Sequence, residues 1–214
     1  MKKILVIGAH YDDCELGAGG AMAKWVREGA SVYKMTLTDN VTDFAYNDAH
    51  ISQIQSVKES AQACSVLGVT EVLTISTAAC TELTYNKKQM QEVESFILDN
   101  KIDTVVTHYL HDIQQDHVHA SIISYVAGRY CDNILMYQSN RYVLPENYYP
   151  RVFVDITETV ELKRRALQCY TGGHDRHGNL FDITLNLNRM HGYSAKKTTG
   201  ETYAEAFHVQ KMVI

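Results

Sequence analysis

A chain of 214 residues, 45% hydrophobic and 21% charged, has ordinary globular composition and room for one sizeable core. A net charge of −5 and a pI near 6.0 leave no basic footprint, which argues against a nucleic-acid binder. No apolar run approaches membrane-spanning length and the first strand begins within three residues of Met1, so the expectation is a cytoplasmic chain without a membrane segment. Cys14, Cys64, Cys80, Cys131 and Cys169 are scattered and contain no CxxC pair, which indicates neither a disulfide framework nor a thiolate zinc site.

In chain order the pattern alternates. Lys3 to Gly8 is an apolar, β-branched run of strand length, and Ala21 to Val26 has helical spacing, with Gly29 as the stop. Ser31 to Leu37 reads as a second strand, and a polar loop runs from Thr42 through Asp48. A helix over Ile51 to Leu67, closed by Gly68, precedes a short strand over Glu71 to Ser76. Met90, Val93, Phe96 and Ile97 set helical spacing within Tyr85 to Asp99, and Thr104 to Tyr109 is the next strand. Its exit loop, His111 to His117, leads into a helix over Asp116 to Tyr130 and a strand over Asn133 to Gln138. A strand over Val152 to Ile156, a helix over Val160 to Tyr170, a loop over Gly172 to Gly178, a helical stretch over Leu180 to Met190 and a last strand over Glu205 to Val213 complete the chain. This order predicts an α/β protein, a Rossmann-like three-layer sandwich with a mostly parallel central sheet and a smaller C-terminal α/β extension. No linker, repeat or low-complexity tract divides it, so residues 1–214 read as a single domain.

The chemistry concentrates in the first strand-to-helix turn, where His10, Asp12, Asp13 and Glu15 fall within six residues. Such turns lie at the carboxyl ends of parallel strands, where ligands bind. A nucleotide-binding reading needs a glycine-rich phosphate loop at this place, and Gly17, Gly19 and Gly20 come too late for one. Those glycines suit close packing of helix on sheet, or room for a ligand at the helix N-terminus. His10 and Asp13, three apart across the turn, can direct an imidazole nitrogen and a carboxylate oxygen at one point. His117, arriving from the loop after a later strand, would complete the three N/O ligands that a catalytic zinc ion takes beside water. The same residues would also serve as a capping or salt-linked cluster.

The segment Ala9-His10-Tyr11-Asp12-Asp13-Cys14-Glu15-Leu16-Gly17 resembles the A-H-[PA]-D-D-x-E-x-G signature of the LmbE-like (PIG-L) zinc-dependent N-deacetylases, which include sugar deacetylases of mycothiol and bacillithiol biosynthesis. Gln115-Asp116-His117 resembles the end of their H-x-D-H signature. Phe153 to Thr157 with Lys163, and Tyr203 to Phe207, resemble the family's F-V-D-I-T…K and Y-A-E-A-F patterns. The resemblance implies His10, Asp13 and His117 as metal ligands for Zn2+ or another divalent ion, Asp12 as general base and Asp116 as a carboxylate supporting the ligands. It implies removal of an acetyl group from an N-acyl amino sugar or related small amide; charge and hydropathy lead to no expected nucleic-acid or membrane partner, and homo-oligomerisation stays open.

Two positions depart from the pattern. Gln114 stands where the family has the first histidine of H-x-D-H, so it can donate a hydrogen bond to an oxyanion but cannot carry a proton. Proton return would then fall to Asp12, or to His108, His111 or His119. Ser56 and Glu59 stand where the family has R-x-x-E, which points to an unusual substrate. The alternative is a family member that binds a metal and a small ligand without hydrolysis.

Overall fold

The computed structural model describes residues 1–43, 50–74, 77–140, 142, 144, 148–171, 180–195 and 200–213. The loop expected over Gly172 to Gly178, with His174 and His177, lies outside them. Five parallel strands form the body of the sheet: β1 (Lys3–Gly8), β2 (Ser31–Thr36), β5 (Thr70–Val72), β6 (Thr104–His108) and β7 (Asn133–Tyr137). Two antiparallel strands, β8 (Val152–Asp155) and β9 (Ala204–Lys211), extend it, giving the order β5-β2-β1-β6-β7-β9-β8. β1, β6 and β7 are almost wholly buried, as strands covered on both faces must be.

Helices α1 (Asp13–Arg27), α2 (Gln53–Leu67) and α5 (Val160–Leu167) cover one face, packing Ala18, Trp25, Ala63 and Ala166 over Ile4, Val6 and Val106. Helices α3 (Lys87–Asn100) and α4 (Gln115–Ala127) cover the other, through Val93, Ile97, Ala120 and Ile123. Helix α6 (Leu180–Ala195) lies against β8 and β9. The chain therefore forms the three-layer α/β arrangement that its alternation predicts.

Boundaries shift where local pairing overrides spacing. Ile51 pairs with Thr42 in a small antiparallel ribbon of β3 (Thr42–Asp43) and β4 (His50–Ile51), and Ser52 Oγ accepts from the Gln55 amide, so α2 starts at Gln53 and not at Ile51. Helix α4 is shorter than expected, ending at Ala127 ahead of Gly128, and β5 ends at Val72. Helix α6 continues past Met190 to Ala195.

Strand β1 is flanked by β2 on one side and β6 on the other, and the helices leaving β1 and β6 go to opposite faces. That reversal opens a crevice at the carboxyl ends of β1 and β6, the place where open α/β sheets bind ligands. Helix α1 is held tightly there. A Cβ on Gly17 would lie 2.1 Å from the Tyr137 ring, and one on Gly20 would lie 2.6 Å from Ile156, so only glycine permits this approach. Lys163 Nζ donates to the Leu16 carbonyl at 2.8 Å and to Glu205 Oε1 at 2.5 Å, while Glu205 accepts from the Gly20 and Ala21 amides at 3.0 and 2.7 Å. The two C-terminal sequence patterns thus bolt α1 to the sheet.

Candidate metal centre

Residues from β1's exit and β6's exit meet in the crevice. One nitrogen each of His10 and His117 and an oxygen of Asp13 lie within 4.8 Å of one another. His10 Nδ1 is 3.2 Å from Asp13 Oδ2, and His117 Nε2 is 3.3 Å from Asp13 Oδ1. The opposite nitrogen of each ring faces a second carboxylate. His10 Nε2 is 3.0 Å from Asp116 Oδ2, and His117 Nδ1 is 3.1 Å from Asp112 Oδ2.

This arrangement sets the tautomers that a metal needs. With Nε2–H of His10 donated to Asp116 and Nδ1–H of His117 donated to Asp112, the remaining nitrogens present lone pairs toward Asp13. His117 Nε2 is buried and has no hydrogen-bond partner among the described residues, an expensive state that a cation would relieve. The donor set of two imidazoles and one carboxylate suits zinc and leaves a position for water. The residues present therefore fit a divalent ion.

Local backbone structure fixes each group. Asp13 opens α1, and its Oδ2 accepts from the His10 amide at 2.7 Å while Ser139 Oγ donates to Oδ1 at 3.0 Å. Asp116 opens the first turn of α4, and its carboxylate also accepts from the Thr81 and Leu83 amides at 2.7 and 3.0 Å. Asp112 Oδ1 accepts from the Gln114 amide at 3.0 Å. Gln114 itself is the N-cap of α4, its Oε1 accepting from the His117 amide at 2.8 Å. Its amide nitrogen remains a donor.

The electrostatics follow from burial and neighbours. Burial alone would raise Asp13, but the imidazoles of His117 and His108 and the hydrogen bond from His10 hold its carboxyl well below the usual range. Burial works to lower His117, yet the Asp13 charge and the Asp112 hydrogen bond push it up to about 9. His10 is likewise raised despite burial, by Asp116 and Asp13. In the metal-free protein, protons occupy the place of the cation. His108 is the exception. Burial, then the charge of His117, lowers it, and its ring stacks on His117 with centroids 4.0 Å apart. It forms a floor under the site, its Nε2 accepting from the Ala9 amide at 3.1 Å and lying 3.2 Å from Asp13 Oδ2.

Several sequence-derived candidates take other places. Asp12 is buried, and its side chain does not cap α1. Asp116 stands behind His10, the supporting place that the resemblance implies. Glu15 lies in the first turn of α1 and is fully buried against Lys34 Nζ at 2.7 and 2.9 Å, and Lys34 also donates to Ser60 and Tyr170. His111 packs edge-on against Tyr109, and His119 Nδ1 accepts from the Tyr85 amide. Ser56 accepts from Asn40, and Glu59 accepts from Thr171. Two contributors escaped the sequence reading, Asp112 and Ser139. Asp112 had a signal, lying in the same loop five residues before His117; Ser139 had only its place at the exit of β7, next to β6.

A second donor group shares His10: one of its nitrogens, Cys80 Sγ and an Asp116 oxygen also lie within 4.8 Å of one another.

Residues 5–127, more than half of the chain, match the sequence profile of the family described as PIG-L, GlcNAc-PI de-N-acetylase. The chain belongs to the PIG-L family. Among PIG-L relatives, a diacetylchitobiose deacetylase of Thermococcus kodakarensis is 26% identical over 187 residues, covering 79% of this chain and 69% of that protein. Among solved structures, N,N'-diacetylchitobiose deacetylase from Pyrococcus horikoshii superposes with a TM-score of 0.79 at 20% identity, covering 98% of this chain and 84% of that one. The 4-carboxy-2-hydroxymuconate hydratase GalB from Pseudomonas putida KT2440 superposes with a TM-score of 0.83 at 18% identity, covering 100% and 98%. At such identities the superpositions establish the shared PIG-L fold, and the hydratase shows that this fold also carries other chemistry. The relatives from Thermococcus kodakarensis and Pyrococcus horikoshii are deacetylases by name. No helix among the described residues is long and apolar enough to cross a membrane.

Proposed function

We propose that this protein is a zinc-dependent hydrolase, a single domain of the cytoplasm, that removes an acetyl group from an N-acyl amino sugar or a related small amide. The observation that carries the reading is the convergence of the His10, Asp13 and His117 donor atoms, each imidazole backed by its own carboxylate. Zinc held by those three residues would polarise an amide carbonyl and make a water more acidic. Asp12, next in sequence to Asp13 and buried, accepts the proton of the attacking water. It then returns that proton to the amide nitrogen as the C–N bond breaks, releasing acetate and the free amine. The amide nitrogen of Gln114 donates to the carbonyl oxygen as charge develops there, a contact worth about a hundred- to a thousandfold in rate where such a donor is lost. Asp116 and Asp112 keep the rings of His10 and His117 in register. The amino-sugar substrate class is supported by the relative from Thermococcus kodakarensis, whose name specifies diacetylchitobiose.

Gln114 supports a second reading, in which the site holds a metal and a small ligand without turnover, because a glutamine already capping α4 cannot titrate. Acetate release from a panel of N-acetyl sugars, with and without added zinc, separates the two. The hydrolase reading expects zinc-stimulated release that falls a hundredfold or more in Asp12→Asn while metal stays bound. No release from any member of the panel would favour the binding reading, and an unaffected rate in Asp12→Asn would reject the role given to that residue.

A further inference from the structure

Next to the metal centre is a cavity of about 220 Å³, walled by the first turn of α1, residues 138–140 after β7, and α6. Ser139 belongs to its wall and donates to Asp13, so the cavity sits one hydrogen bond from the carboxylate at the heart of the site. Its polar groups are mostly amides and hydroxyls, among them Gln138, Asn140, Thr184 and Asn188, with one imidazole, His191, and no Asp, Glu, Lys or Arg is among the described residues that line it. Asn188 is 5% exposed, and its Oδ1 has no hydrogen-bond partner among the described residues. A buried carbonyl oxygen left unpaired is costly, and a ligand hydroxyl would satisfy it.

We propose that this cavity is a binding subsite for an uncharged, hydroxyl-bearing ring of the substrate, with Asn188 as the residue that recognises a hydroxyl. The proposal deepens the amino-sugar reading and rests on it for the identity of the reacting half of the substrate. Volume limits the occupant. The cavity has room for roughly seven waters at about 30 Å³ each and falls short of the roughly 300 Å³ at which pockets begin to enclose a whole drug-sized ligand. One ring or branch fits, with the scissile amide outside. Charge limits it too, since a phosphate or carboxylate buried here would meet no Lys or Arg to offset its desolvation. The mixed amide and hydroxyl lining can donate to and accept from alcohol groups at once.

Methyl glucoside tests this independently of turnover, because it is an uncharged pyranose with no amide to hydrolyse. Titrated into the zinc-loaded protein and followed by NMR, it should move the Asn188 side-chain amide and the backbone amides of Gly17, Ser139 and Asn140. Glucose 6-phosphate, its charged counterpart, should bind there more weakly. Asn188→Leu should weaken the methyl glucoside titration by about three- to tenfold, the value of one neutral hydrogen bond. Thr184→Val, a milder change in the same wall, should weaken it in the same direction, guarding against a leucine variant that misfolds. An Asn188 signal that does not move, or an affinity unchanged in both variants, overturns the proposal. Acetate release with a silent Asn188 would remove the subsite and keep the hydrolase; a responsive Asn188 without acetate release from any sugar would keep the subsite and remove the hydrolase.

Discussion

Asp116→Asn changes almost no volume, yet the structure gives it a large effect. The carboxylate receives three donors: the Thr81 and Leu83 amides and His10 Nε2–H. Thr81 and His10 converge on Oδ2, and Leu83 addresses Oδ1. An asparagine has one acceptor oxygen and one donor nitrogen. If its oxygen faces Leu83, its NH2 faces two other donors, and His10 must give up the Nε2 proton and carry it on Nδ1. That proton then points at Asp13 and occupies the lone pair intended for the metal. If the oxygen faces Thr81 and His10, the Leu83 amide is left unpaired inside the protein. The first outcome costs metal affinity about ten- to a hundredfold, the usual value of a carboxylate behind a ligating histidine. Either outcome leaves a buried donor unsatisfied, at about 1–3 kcal/mol, or a fall in Tm of roughly 2–12 °C for a chain of this size. Competition with a chromophoric zinc chelator measures the first quantity, and thermal unfolding of the metal-free protein measures the second. An Asp116→Asn protein that binds zinc as tightly as the natural one and melts at the same temperature would refute the reasoning.

The raised His117 couples zinc to pH. Below about 9 the metal must displace the His117 proton, so affinity should rise by about tenfold per pH unit for each proton displaced, then level off; an affinity flat between about pH 6 and 8 would contradict this. For the metal-free protein the sign is reversed: the His117 contribution to stability is complete below the ordinary histidine value of about 6.5 and is lost as pH rises through about 9, which urea melts at several pH values would reveal. Gln114→Ala removes both the cap on α4 and the donor, so it should cost about 0.5–2 kcal/mol in unfolding as well as lowering the rate; a variant with natural stability and natural rate would make the residue a bystander. Lys34→Met strands the fully buried Glu15 carboxylate and should cost about 3–5 kcal/mol, most of it recovered in the Glu15→Leu, Lys34→Met double variant; a single variant within about 1 kcal/mol of the natural protein would show that the pair contributes little.

Much of this was legible before any coordinates. Strand β1 and the turn after it stood out because a buried parallel strand is continuously apolar, so a polar cluster directly behind it marks a sheet edge. The candidate ligands His10, Asp13 and His117 could be proposed together because alternation brings every parallel strand's exit to that edge. Other parts were hidden by the nature of the signal. Lys34 sits mid-strand among apolar residues, and nothing local says that it turns inward to Glu15, nineteen residues earlier in sequence. Asp116 read as a carboxylate supporting the ligands, but nothing local says that it backs His10 or that it is held by amides at Thr81 and Leu83 from a loop with no pattern of its own. Ser139 was invisible for the same reason: a single serine acquires meaning only when the sheet order puts β7 beside β6.

The most direct test of the central claim is X-ray absorption on protein loaded with one equivalent of zinc, paired with anomalous diffraction to locate the ion. The account predicts an ion among His10, Asp13 and His117, with only nitrogen and oxygen neighbours at about 2.0–2.2 Å. A sulfur neighbour at about 2.3 Å, placing the ion on the His10, Cys80 and Asp116 group instead, would contradict it.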